Sequence, residues 1–108
     1  CTSYYYYNIF NKESQVLTSE KLILEQLKRD DDQFITSLAR KLIEGSPLIL
    51  NFDQLHVDSA NKVISFISGV VFAIEGHIVE INETTYLFGD KNLYTDNSIE
   101  AWLKENLN

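Results

Sequence analysis

The sequence predicts an α+β protein: a two-layer α/β sandwich in which a mixed sheet carries its helices on one face. Three observations lead there. Helical stretches near 33–44 and 59–74 alternate with short strand-like runs at Leu22–Leu24 and Leu48–Phe52. A hairpin pattern of two further strands follows the second helix. The 108 residues, 44% hydrophobic and 23% charged, suffice for one core but not for two. Strand–helix–strand units cross over in the right-handed sense, which places the helices on one face of the sheet.

Residues 1–15 read as a tail or linker, and 16–108 as the globular core. Tyr4, Tyr5, Tyr6 and Tyr7 form a small low-complexity tract without a helical stripe. Val16-Leu17 and Leu22-Ile23-Leu24 are short apolar runs, and the second reads as the first strand. Lys28 to Asp32 is a solvated charge run leading into a helix. Phe34, Ile35, Leu38, Leu42 and Ile43 then recur as one amphipathic stripe. Gly45 and Pro47 stop that helix. Leu48-Ile49-Leu50-Asn51-Phe52 is nearly continuous apolar chain, as expected of an inner strand buried on both faces.

Asp58 is placed to cap the next helix, Ser59 to Ile74. Ala60, Val63, Ile64, Ile67, Val70, Val71 and Ile74 follow the spacing of a sheet-facing stripe. Phe66, Gly69 and Ala73 lie beyond it, and Phe72 beyond it on another side. From Val63 to Ile74 only Ser65 and Ser68 are polar. A helix apolar over so much of its girth calls for cover all round. A domain of this size cannot easily provide it; packing of Phe66 and Phe72 on neighbouring loops is the alternative. Gly69 costs about 1 kcal/mol relative to Ala in a helix interior, and close approach of another backbone would justify it. Glu75-Gly76 ends the helix. His77–Ile81 and Thr85–Phe88 form the hairpin about a turn at Asn82-Glu83, with Ile78 and Ile81 placed differently from Val79. Lys91 to Asn97 is a polar loop, and Ser98 caps a last helix with the stripe Ile99, Trp102, Leu103 and Leu107.

Charge excludes some functions. The net charge of −7, with basic pairs only at Lys28-Arg29 and Arg40-Lys41, disfavours nucleic acid and anionic membrane surfaces. Cys1 is the single cysteine, so no intrachain disulfide forms, in keeping with a reducing compartment. No apolar run approaches the roughly 18 residues of a membrane span. The chain holds no methionine, so residue 1 is not a translation start and an upstream segment is expected. Catalytic motifs are missing. No Gly-x-Ser-x-Gly elbow occurs, and Gly45, Gly69, Gly76 and Gly89 are too dispersed for a phosphate or dinucleotide loop. Asp30-Asp31-Asp32 and the pair His56 and His77 lack the spacing of a metal site. We expect no catalytic residue, metal or cofactor. A hydrolase would need a nucleophile beside a base. A small-molecule-binding regulatory α/β module, the alternative function, would need a pocket with convergent polar groups.

Four segments carry a family resemblance: Leu48-Ile49-Leu50-Asn51, Ala60 through Gly69, Val71-Phe72-Ala73-Ile74-Glu75-Gly76, and Tyr86-Leu87-Phe88. Together they resemble SepF, the bacterial cell-division family that links FtsZ to the membrane. The likeness covers roughly 20–92 and is strongest over 47–90. The variant Phe72 to His77 is most like cyanobacterial members, and the Asn-, Ile- and Tyr-rich composition is similar to plastid-encoded ones. The resemblance implies a non-enzymatic protein that dimerises, polymerises and binds the C-terminal tail of FtsZ in septum assembly. It implies a cytoplasmic location at the division site, or the plastid stroma if organelle-encoded. Membrane contact would come only through an upstream amphipathic helix. Phe66, Gly69, Val70 and Ala73 would form the self-association surface. Ile78, Glu80, Tyr86 and Phe88 would form the tail-binding site, with Tyr86 at the place of a family aromatic. Glu80 departs from the family, which commonly has a basic residue there.

Overall fold

A computed structural model describes residues 18–95 and 97–106. The 1–15 tail with its tyrosines, Val16-Leu17 and Leu107 lie outside the described residues. After a 3-10 turn at Thr18–Lys21 come strand β1 (Ile23–Gln26), helix α1 (Asp32–Ile43), strand β2 (Leu48–Asn51) and helix α2 (Val57–Ala73). Strands β3 (His77–Asn82) and β4 (Thr85–Gly89) and helix α3 (Ser98–Asn106) complete the order. The sheet runs β1-β2-β4-β3. β1 pairs in parallel with β2, and β4 is antiparallel to both β2 and β3. The return strand of the hairpin is thus inserted beside β2 and leaves β3 at the sheet edge. This is the α+β mixed sheet expected.

β2 is the inner strand. Leu48, Ile49 and Leu50 are all buried although they alternate between faces, so each face of the sheet has its own core. On one side Leu48, Leu50 and Phe88 meet Ile35, Leu38, Ala39 and Leu42 of α1 and Val63, Ile67 and Val71 of α2. Each fully buried Leu or Ile contributes about 1.5–3 kcal/mol relative to exposure. The two crossover helices therefore share one face, but the C-terminal helix, which is no crossover and is free of that rule, docks on the other, which corrects the expectation of helices on one face only. There Ile99, Trp102 and Leu103 pack with Ile49, Leu87, Val79 and Ile81. Leu93, in the loop read as merely polar, is buried at the centre of this second cluster.

Local chemistry moves several boundaries. β1 begins one residue later than the apolar run Leu22–Leu24, because Leu22 N donates back to the Ser19 carbonyl at 3.3 Å and cross-strand bonding starts with Ile23 N to the Pro47 carbonyl at 2.9 Å. Asp31 caps α1, its carboxylate accepting from Phe34 N at 3.2 Å. The cap of α2 is His56, not Asp58: the imidazole Nδ1 accepts from Asp58 N at 3.3 Å, and Asp58 sits inside the first turn, where its charge favours the helix dipole. Ile81 shares a face with Val79 rather than with Ile78, as the two-residue period of a strand requires. Ser98 is the first residue of α3, and its Oγ accepts from Ser19 N at 2.9 Å. Asn51 closes β2 with its side chain. Its Nδ2 donates to Thr85 Oγ1 at 2.8 Å and its Oδ1 accepts from Asp53 N at 3.0 Å, which satisfies the buried threonine and fixes the turn into α2.

Candidate interaction surfaces

Only Val63, Ile67 and Val71 of α2 are fully buried. The opposite side of the helix is bare. At 100° per residue, Phe66 and Phe72 flank Gly69 at about 60° on either side, with Ala73 between Gly69 and Phe66. Phe66 is 44% exposed and Phe72 is 86% exposed. A Cβ built on Gly69 would meet nothing within 4 Å, so no neighbouring backbone among the described residues explains this glycine. Of the four residues the sequence assigned to self-association, Phe66, Gly69 and Ala73 lie on the open face. Val70 is half-buried against the core and borders it. The rings do not fold onto neighbouring loops. Phe66 edges a shallow cleft of about 390 Å³ with Asp32, Ile35, Thr36 and Lys62, and Phe72 stands clear. Sequence reasoning left Phe72 out of this surface although the helical angle places it there.

One flank of α2 is tied to the segment that enters α1. Lys62 Nζ donates to the Asp30 carbonyl at 3.1 Å and lies 3.5 Å from Asp32 Oδ1. Arg29 holds Asp31 from the other side, donating through Nη2 at 2.8 Å, and stacks its guanidinium over Phe34 at 4.9 Å. The Arg29 hydrogen bond, helped by the bond from Phe34 N, brings the Asp31 carboxyl down to about 2. Asp31 thus caps a helix and pairs with Arg29, Asp32 pairs with Lys62, and Asp30 contributes its backbone carbonyl. Among the described residues no cluster of three or more metal-ligating side chains occurs.

The second candidate surface is the hairpin. β3 is an edge strand, and alternation divides it: Val79 and Ile81 join the α3 side, while Ile78 and Glu80 point to the α2 side. There Ile78 pairs across the ladder with Phe88, and Glu80 with Tyr86. Ile78 is 44% exposed, Glu80 is exposed and Tyr86 is half-buried. Phe88 is completely buried, which corrects its assignment as a contact residue: Tyr86 stacks on it at 6.2 Å, and Phe52 meets Tyr86 edge-on at 5.9 Å. Phe88 is a support for Tyr86: it lies in the core under the helices, and Tyr86 packs against that core. The structure therefore brings Ile78, Glu80 and Tyr86 together. No helix among the described residues is long and apolar enough to cross a membrane.

Comparison with known proteins follows the same boundaries. A family model described as "Cell division protein SepF" matches residues 23–92. The cell division protein SepF of Limosilactobacillus reuteri is 30% identical over 94 residues, spanning 87% of this chain and 62% of that one. That of Natranaerobius thermophilus is 33% identical over 64 residues, spanning 59% of this chain and 38% of the relative. The chain thus spans less than two-thirds of the length of these relatives. Among solved structures, a SepF-like protein from Archaeoglobus fulgidus aligns with a TM-score of 0.58 at 11% identity, over 67% of this chain and 87% of that one, a likeness of fold.

Proposed function

Because the chain belongs to the SepF family of cell division proteins, we propose that it supports septum assembly by binding alone: it pairs with a second copy through α2 and holds the C-terminal tail of FtsZ on the hairpin. The observation that carries this reading is the bare apolar face of α2. Two exposed phenylalanines flank an unobstructed glycine, opposite a side already packed on the sheet. A helix with two apolar faces gains most of its stability from packing both of them. Phe66 and Phe72 supply the aromatic anchors that dominate interface energies, and Gly69 lets a second helix approach closely between them. A copy of the same helix meets this face with the same features, as an isologous interface requires.

The hairpin supports the second half. An exposed Ile78 beside a half-buried Tyr86, backed by buried Phe88, offers an apolar foothold on the edge of a rigid sheet. Dimerisation then raises the apparent affinity for a polymer of tails, because the second contact becomes intramolecular. Such a protein works at the division site, in the cytoplasm or in plastid stroma.

Two measurements test this. Calorimetry with the C-terminal tail peptide of FtsZ from the same organism should show saturable binding; a folded protein that gives no heat at high peptide concentration removes the tail. Size-exclusion chromatography with light scattering should show a dimer for the wild type and a monomer for Gly69→Lys. A Gly69→Lys variant that remains dimeric removes the α2 interface.

A further inference from the structure

The turn end of the hairpin carries a one-sided charge. Between Lys41 and Lys91 the chain has a single basic residue, Lys62, against Glu44, Asp53, Asp58, Glu75, Glu80, Glu83 and Asp90. Lys62 is drawn towards α1 by the Asp30 carbonyl and the Asp32 carboxylate, on the flank of α2 that carries Phe66. The apolar foothold of Ile78 and Tyr86 is left among carboxylates. Glu80 stands opposite Tyr86 in the ladder, Glu83 lies in the hairpin turn and Asp53 follows the Phe52 that touches Tyr86, while Glu75, which precedes β3, lies at the opposite end of the hairpin in a cleft shared with Lys91. All four are exposed, and none is ion-paired among the described residues.

We propose that the segment received on this uncovered edge of the sheet is basic as well as apolar, a short peptide with Lys or Arg beside its apolar anchor, and that Glu80 selects that charge. The inference rests on the tail-binding reading above and names the chemistry of what is bound. The other occupants are disfavoured by the same charges. A second copy would set acid against acid, and like charges across an interface are strongly disfavoured. Anionic lipid and nucleic acid are repelled for the same reason. An apolar anchor on Ile78 and Tyr86 would fix the peptide, and a cation within reach of Glu80 would set its register and hasten its encounter.

The test uses the full chain and three short labelled peptides, read by fluorescence anisotropy. One is the FtsZ tail of the same organism. The other two keep its apolar residues but carry Lys, or Glu, at every charged position. The Lys peptide should bind roughly tenfold more tightly than the Glu peptide at low salt. The gap should close as the ionic strength approaches about 1 M, where the screening length falls to about 3 Å. Glu80→Lys, with unchanged circular dichroism, should reverse or erase the preference. Equal binding of both peptides, unaffected by Glu80→Lys, overturns the charge selection and leaves tail binding standing. Failure of all three peptides to bind the folded chain removes tail binding itself, and this inference with it.

Discussion

The residues Glu75 and Gly76 divide between them two tasks that a helix-ending glycine usually combines. Glu75 N bonds to the Phe72 carbonyl and Gly76 N to the Val71 carbonyl, the paired closure of a Schellman turn. The left-handed residue of that turn is Glu75, at φ 59°, not the glycine. A side chain there costs about 1–2 kcal/mol, and a carboxylate at the helix C-terminus opposes the dipole as well. Glu75→Gly should therefore stabilise the domain by about 1 kcal/mol, read as a higher urea midpoint at unchanged slope. Gly76 serves another purpose: a Cβ there would run into the Gly89 carbonyl of the neighbouring strand. Gly76→Ala should cost about 1–3 kcal/mol as overpacking, and a neutral result would show that the β3–β4 entry can spread. Asp31 gives a pH signature. Its folded pKa is lowered from 3.8 to about 2, chiefly by the Arg29 hydrogen bond, so its contribution is present above pH 3.8 and lost as pH falls through about 2. The wild type should be more stable than Asp31→Ala at neutral pH, with the difference shrinking below pH 3.8. A difference independent of pH would separate the cap from the charge.

At the scale of elements, what the sequence could show depends on how many residues carry each signal. α1 and α2 were legible because several apolar residues repeat at helical spacing, and β2 because its run is continuous. The bare side of α2 was legible too, as apolar residues in excess of one sheet-facing stripe. The second face of the sheet was not. Its cover comes from one short helix and from Leu93, a lone apolar residue in a polar loop, and a single residue has no period. Burial of Leu93 is recorded instead by Gly89, where any Cβ would strike its side chain at 2.8 Å. The hairpin site was half legible. The family resemblance grouped Ile78, Glu80, Tyr86 and Phe88, but the burial of Phe88 under the helices depends on strand order. That order requires β4 to insert beside β2, and no local pattern encodes it. Leu93→Ala removes a fully buried side chain and should cost about 2–4 kcal/mol. A loss under about 0.5 kcal/mol, measured by urea denaturation, would mean that the α3 layer does not hold this position in solution.

At the scale of the whole molecule, the domain buries a core on each face of its sheet and, among the described residues, leaves the apolar outer side of α2 against water. That surface has a thermodynamic consequence if a second copy covers it. Dimerisation links folding to mass action, so stability depends on concentration as it does not for a monomer. Each tenfold rise in protein concentration should add about 1.4 kcal/mol per mole of dimer to the apparent unfolding free energy. The thermal midpoint should rise accordingly. Gly69→Lys should flatten that dependence while leaving the protomer folded, because the space around Gly69 is empty among the described residues and the new side chain would enter only the proposed interface. Phe72→Ser should act in the same direction at little cost to the isolated protomer, since Phe72 is almost fully exposed there. A wild-type midpoint that does not move over a hundredfold range of concentration, alongside a monomeric mass in light scattering, would assign the apolar face of α2 to a different partner.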